Sequence, residues 1–494
     1  MKRELGILLP IFSLPNRYLI GNFGKEAYEF IDYLNEAGVE VWQLLPLNPT
    51  SYGDSPYQAY SSFAFNPYFI DLDNLKELSL LTEEEIKPLI SISNHVEYGV
   101  LFKNFYNVIR IAYNRNKDLN VFNINNFKKN LSQDLKNYFE FMTLKVNFNF
   151  SSFLSWPSEY SNHKKSDIKE FVKLHEDDYN FFVFIELVLE IQYKKLKDYA
   201  KAKNVKILGD LPIYVALDSS DVWANRSLFK FKNNKPSKVA GVPPDYFSPD
   251  GQLWGNPIYN YKKMEKDNFF FWKRRIEKCK EIYDLLRLDH FRGFESFYEI
   301  DYGAKNAKVG HWKKGPGLKL INVIKKAAGK MKIIAEDLGQ LTKAVYKLKK
   351  DANLCGLNIY QFGYSLEDKH FKSSYLPQNY KVKSVAYLGT HDNMTTNEFL
   401  STVSKPLKEH IFKDLKVNNI KDAQEEMLKR IVLSKSKLVI LTLQDLLFEG
   451  KEGRINTPGV ASNNWIYATT HLYKDKTFDY LNYLRKISKR WTLK

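Results

Sequence analysis

Eight short apolar runs, spaced along the whole chain, constrain the fold more than any other feature of this sequence. They are Gly6 to Ile11, Val39 to Leu47, Val205 to Val215, Leu285 to Asp289, Lys332 to Glu336, Leu357 to Phe362, Val385 to Leu388 and Leu438 to Leu443. Runs of this length, rich in Ile, Leu and Val, suit parallel strands covered on both faces. Most are separated by segments with apolar residues at helical spacing. Lys25 to Ala37, closed by Gly38, is one; Phe181 to Lys203 and Asn268 to Tyr283 are others. Strand and helix alternating eight times give a (β/α)8 barrel. The competing architecture is a doubly wound open sheet, but no Gly-rich dinucleotide turn follows any of the strands.

Two connections exceed any simple barrel loop. Residues 48–204 are mostly helical in pattern and predict an inserted, mainly helical subdomain. Residues 216–267 are rich in Pro, Gly and aromatics and predict an ordered lid over the mouth of the barrel. The whole chain, residues 1–494, reads as one catalytic barrel carrying these insertions. The stretch after the eighth run is too short for a C-terminal β-sandwich.

Charge and composition narrow the function classes. The net charge of +17, from 74 basic and 57 acidic residues, invites a nucleic-acid reading. The lysines instead dot helical faces, as at Lys194, Lys195, Lys197, Lys201 and Lys203, with no basic arm or nucleic-acid-binding motif. The aromatic content of 15% is high, and flat aromatic rings suit the apolar faces of sugars. Cys279 and Cys355, the only cysteines, form neither a disulfide framework nor a metal set, which predicts a reducing compartment. The start of the chain lacks a signal-peptide pattern, and the most apolar stretch, Phe181 to Tyr193, is short and carries Glu186 and Glu190. The expectation is a cytoplasmic protein with neither nucleic acid nor membrane as partner.

Barrel enzymes place their reacting groups at the C-terminal ends of strands. Four acids fall there: Asp210 ends the third strand, Asp289 the fourth and Glu336 the fifth, and Asp392 follows the seventh. Side chains alternate along a strand, so Arg287 and Asp289 share the inward face, and the cation is expected to keep Asp289 ionised. Glu336 then needs a raised pKa to donate a proton. That division suits retaining glycoside chemistry, whose two carboxyls stand about 5–5.5 Å apart. Each acid has an ordinary alternative: an ion pair for Asp289, a helix cap for Glu336 or Asp337, a turn for Asp392. Their joint placement favours a shared site. A metal site using His290 and His391 is the rival use of the cluster, but the first run, Ile7 to Ile11, offers no ligand.

Six long motifs now add a resemblance. SYGDSPYQAYSSFAFNP from Ser51, GDLPIYVALDSSDVWA from Gly209 and AGVPPDYFSPDGQLWGNP from Ala240 are three. RLDHFRGFE from Arg287, AEDLG from Ala335 and GTHDN from Gly389 complete the set. In this order they resemble the 4-α-glucanotransferases, called amylomaltase or disproportionating enzyme, relatives of the α-amylases. The resemblance runs from about Gly6 to Trp465. It implies transfer of α-1,4-glucan segments, with Asp289 as nucleophile, Glu336 as general acid/base and Asp392 as the third carboxylate. It also implies a subsite lined by Tyr57, Asp210, Arg287 and His391, further substrate contacts at Ser55, Tyr246, Trp254 and Asn464, and a second glucan groove at Tyr52. The implied partners are maltooligosaccharides and starch- or glycogen-like glucans, with glucose as acceptor; no cofactor or metal is implied. Two departures stand out: Ile466-Tyr467-Ala468 replaces a Trp and Arg that usually follow the motif at Asn463, and Gln378 stands where many relatives carry His. The alternatives are an α-amylase-type hydrolase of the same bond, or a silent glucan-binding protein.

Overall fold

A computed structural model describes residues 3–51, 53–91, 93–244, 248–339 and 341–490. All eight apolar runs form strands: β1 (Glu4–Leu8), β2 (Val41–Gln43), β3 (Lys206–Leu211), β4 (Leu285–Leu288), β5 (Lys332–Ala335), β6 (Gly356–Ile359), β7 (Ser384–Tyr387) and β8 (Leu438–Thr442). They pair in parallel in the order β5-β4-β3-β2-β1-β8-β7-β6. A single parallel bridge, Ile334 with Cys355, joins the two ends and completes the (β/α)8 barrel. Several strands are shorter than the runs that announced them; past β2, for example, the apolar Leu44, Leu45 and Leu47 are buried in the connection that follows.

Helix α1 (Lys25–Glu36) buries Ala27, Phe30, Ile31 and Leu34 against the barrel, and Gly38 at φ 68° ends it. A set of helices, the longest Tyr98–Leu119 and Gln133–Asn147, occupies the β2–β3 connection and ends in the 27-residue α2 (Glu176–Ala202). This last helix faces two ways. Its first half meets the inserted helices, through Arg110 to Asp178 at 2.7 Å and Tyr113 against Phe184. Its second half belongs to the barrel wall, where the Tyr199 hydroxyl donates to Asp32 of α1 at 2.8 Å. Helices α3 (Phe270–Ile282), α4 (Leu318–Ala328) and α5 (Lys343–Asp351) cover the next strands. The β6–β7 crossover carries only 3₁₀ turns, at Tyr360–Gly363 and Pro377–Asn379, among its described elements. Helices α6 (Ile420–Leu433) and α7 (Tyr473–Ser488) complete the wall, and a 2.6 Å bond from Tyr33 to Thr477 ties α7 to α1.

The 216–267 segment is not a loop throughout. Its strands Lys238–Val242 and Gln252–Pro257 pair antiparallel with each other, and the first also pairs with Ser296–Asp301, which follows β4. Gly310–Lys314 completes this four-stranded sheet. A bulge between Val239 and Gly241, and Gly255 at φ 77°, hid the strand pattern. Among the described residues no helix is long and apolar enough to cross a membrane.

Gly209, just before Asp210, lets Tyr283 lie against the back of β3: a Cβ there would fall 2.3 Å from the ring. Gly209→Ala is expected to cost about 1–3 kcal/mol through overpacking. Urea denaturation should show a lower midpoint at an unchanged slope; an unchanged midpoint would mean that β3 and Tyr283 are free to part.

Candidate active site

The ladder carries the acids to the mouth. Asp210 of β3 and Arg287 of β4 are register partners. One residue beyond each strand the ladder continues: Asp289 N donates to Leu211 O at 3.1 Å, and Glu336 N to Leu288 O at 3.0 Å. Arg287, only 3% exposed, reaches along the axis and forks. Nη1 donates to Asp210 Oδ2 at 2.5 Å and Nη2 to Asp289 Oδ1 at 2.9 Å. A rigid planar cation with several donors is the side chain that can hold two carboxylates at fixed separation.

Tyr57 extends this network. Its hydroxyl donates to Asp210 Oδ2 at 2.8 Å and lies 2.9 Å from His391 Nε2. Since the tyrosine proton goes to Asp210, its oxygen accepts from His391, which assigns the imidazole proton to Nε2. The two rings also stack, 5.4 Å between centroids and 17° apart. Ser55 shapes the turn beneath Tyr57: its Oγ accepts from Tyr57 N at 3.2 Å.

Asp392 lies 3.3 Å from His391 Nε2 and accepts from Asn456 Nδ2 at 2.6 Å. Asn456 N in turn donates to His391 O at 3.1 Å. Sequence reasoning missed Asn456, which lies far along the chain in the loop after β8; its position just before Thr457-Pro458-Gly459 signals only a turn. Glu336 accepts from His290 N at 2.7 Å. His290 reaches it from a left-handed backbone, φ 46°, uncommon for a residue with a side chain.

Trp254 stands on the edge strand of the antiparallel sheet, edge-on to His290 at 4.9 Å. Asn464 does not join the cluster; its amide holds Thr457 N and Val460 O and braces the loop that carries Asn456. Trp465 in the same loop lies 5.7 Å from the Tyr57 ring. The departing residues staple that loop to the rest of the fold: Ile466 O accepts from Val96 N, and Tyr467 O from Ser13 Oγ. Gln378 sits in an exposed turn, bonded to Phe371 O. Tyr52 and Tyr246 lie outside the described residues. Among the described residues no group of three or more His, Cys, Asp or Glu is arranged to hold a metal.

Electrostatics separates the three acids. Burial pushes Glu336 well above the usual carboxylate range, helped by Asp289 and Asp337 and opposed by Arg287 and the His290 N–H. Burial also lifts Asp289, to about 7, even though Arg287 pulls it down; Asp210 and Asp392 add to the rise. The expectation that a cation beside Asp289 holds it ionised therefore meets an opposing effect. Arg287 is in place, but it serves Asp210 as well, and desolvation outweighs its share for Asp289. Burial would raise Asp392 too, yet His391, the Asn456 amide and Arg287 together hold it well below the ordinary range. Burial drives the His290 imidazole down to about 4, so it is neutral.

Carboxylates gathered round an arginine at the C-terminal mouth of a parallel barrel place the chain in the class of barrel enzymes that carry acidic groups at their strand ends. The comparisons sharpen the class. The chain belongs to the 4-alpha-glucanotransferase family, whose model matches residues 9–472. It is 43% identical over 473 residues to the 4-alpha-glucanotransferase of Clostridium butyricum, covering 95% of this chain and 96% of that one. It is 38% identical to that of Streptococcus pneumoniae serotype 4, over 95% of this chain and 94% of the relative. Among solved structures, the amylomaltase from Streptococcus agalactiae in complex with acarbose superposes with a TM-score of 0.93 at 31% identity, covering 99% of this chain and all of that one.

A carboxyl whose folded pKa exceeds its unfolded value binds more protons when folded, so it weakens stability as pH rises from about 4 to 7. For Asp289, raised to about 7, Asp289→Asn is therefore expected to stabilise the fold at pH 8 by about 1–3 kcal/mol and to leave it unchanged near pH 4. Thermal unfolding at the two pH values checks this; equal Tm differences at both would mean that Asp289 is not held out of water.

Proposed function

We propose that the chain moves segments of α-1,4-glucans between maltooligosaccharides or starch- and glycogen-like chains by retaining double displacement. Asp289 attacks the anomeric carbon as the bond to the leaving 4-oxygen breaks, and Glu336 protonates that oxygen. The 4-hydroxyl of a second glucan, or of glucose, then attacks the same carbon, Glu336 takes its proton, and Asp289 leaves. Arg287 and Asp210 fix the nucleophile, Tyr57 and His391 form the floor beside the reacting sugar, and Asp392 binds its hydroxyls and balances the developing positive charge.

One observation carries this reading: Asp289 and Glu336 are both raised, but only Asp289 touches the cation. When two buried carboxyls share one proton, the negative charge belongs beside the guanidinium and the proton on the other acid. Glu336 Oε2 already accepts from His290 N, which leaves Oε1 to carry the proton. This supports Asp289 as nucleophile and Glu336 as acid.

Transfer over hydrolysis requires that water be excluded and an acceptor held. We assign this task to the 216–267 segment, with Trp254 and Tyr246 against bound glucan, and treat the 48–204 insertion as its companion wall. Tyr52 there is proposed to serve a second glucan groove, Ser55 to brace Tyr57, and Asn464 to steady the last loop. A cytoplasmic setting fits the two unpaired cysteines, Cys279 and Cys355.

Maltotriose is the decisive substrate. The expected outcome is a ladder of longer oligomers with glucose released, seen by chromatography over time; glucose and maltose without a ladder would mark a hydrolase. Asp289→Asn and Glu336→Gln should each lower the rate by about 10³-fold or more. Unchanged glucose release by Asp289→Asn would mark a protein whose chemistry lies elsewhere.

A further inference from the structure

Seven of the eight strand pairs in the barrel share a ladder of backbone bonds. The eighth, β5 with β6, has one bridge and one short bond, Ala335 N to Cys355 O at 2.8 Å. This weakest seam lies directly beneath Glu336. Every hydrogen bond to Glu336 among the described residues comes from the β4 side: its N–H goes to Leu288, its carbonyl accepts from Phe291, and its carboxylate accepts from His290. On the β6 side the next residue takes over. Asp337, 4% exposed, accepts from Leu357 N of β6 at 2.7 Å through Oδ1, while Oδ2 pairs with Lys349 of α5. The strand passes so close that a Cβ on Gly356 would stand 2.4 Å from Asp337 Oδ1 and from Lys349 Nζ.

We propose that Asp337 is a positioning residue: its carboxylate replaces the missing β5–β6 ladder and so fixes the main chain that aims Glu336 at the reacting bond. The inference rests on the reading of Glu336 as acid/base. A strand end anchored on one side only can pivot about that side. Anchoring both edges limits that pivot, and a small misplacement of a reacting group costs rate steeply. Burial raises Asp337 and Lys349 offsets part of that rise; Lys349 itself comes from the helix that links the two strands, so Asp337 ties β5, β6 and their crossover together. A helix-capping role, the ordinary use of an Asp here, is not what the structure shows: α5 is capped by Thr342 instead.

The test compares wild type, Asp337→Ala, Asp337→Asn, Lys349→Met and Glu336→Gln on maltotriose, with near-ultraviolet circular dichroism and Tm to confirm folding. Asp337→Ala should lower kcat by ~10–100-fold with KM little changed, because the substrate still binds while the acid is misplaced. Asp337→Asn keeps an oxygen for Leu357 N and should restore most of kcat, and Lys349→Met, which keeps that bond, should do the same. The groups facing Glu336 are Arg287 and Asp289 from β4, Asp337 from β5 and Tyr375 from the segment after β6. Removing the Asp337 charge should therefore lower the Glu336 pKa and move the basic limb of the pH–rate profile to lower pH in Asp337→Asn. A folded Asp337→Ala with wild-type kcat, an Asp337→Asn as impaired as Asp337→Ala, or an unmoved basic limb would each overturn the inference. If Asp337→Ala does not fold, Asp337→Asn and Lys349→Met still decide it. An active Glu336→Gln would remove the underlying reading, whereas an inactive Glu336→Gln beside a fully active Asp337→Ala would remove this inference alone.

Discussion

A buried guanidinium shared by two carboxylates is the interaction on which the rest of this site depends. Arg287 carries its charge into the barrel at 3% exposure, and Asp210 and Asp289 receive one nitrogen each. Such a charge is tolerable only when its partners are fixed, because desolvation costs several kcal/mol per ion. The barrel fixes them: Asp210 and Arg287 are paired in register on neighbouring strands, and Asp289 follows on the same face. Tyr57 and His391 then arrange themselves around Asp210, and Asp392 around His391. The order of dependence runs from register to ion network to the protonation of the reacting pair.

The same network explains why three similar acids behave differently. Asp392 gathers His391, Asn456 and a share of Arg287, and stays charged. Asp289 has a direct cation but divides it with Asp210, and among the described residues Glu336 has no cation in contact. Burying two carboxyls whose pKa values are raised costs stability at neutral pH, because their charged forms are kept from water. The strained backbone of His290 adds to that cost and directs its N–H to one oxygen of Glu336.

Much of this was legible in the sequence, for identifiable reasons. The eight strands were marked by apolar runs because both faces of a parallel sheet are buried, and the acids were found because barrel chemistry sits at strand ends. The antiparallel sheet was not legible: Lys238–Val242 and Gln252–Pro257 are short, bulged and broken by Gly and Pro, so the alternation that marks a half-exposed strand is lost. The missing helix of the β6–β7 crossover had no signal other than the weakness of the sixth run. Asn456 escaped because a residue that acts by hydrogen-bonding across the fold has no periodicity to announce it, and the pKa of Asp289 escaped because desolvation is a property of the assembled mouth. The bonds by which Asn464 braces the loop that carries Asn456 are likewise a property of the folded loop and have no local pattern to mark them.

Intact-mass and peptide mass spectrometry of the Glu336→Gln variant, mixed with an α-glucosyl donor whose leaving group needs no protonation, tests the central claim most directly. Such a donor allows the first displacement without the acid, while the absence of the base stalls the second. A stable adduct of one donor glycan per chain, mapped to the peptide containing Asp289, is expected. An adduct on any other carboxylate, or turnover of the donor with no covalent species and with inverted product, would contradict it.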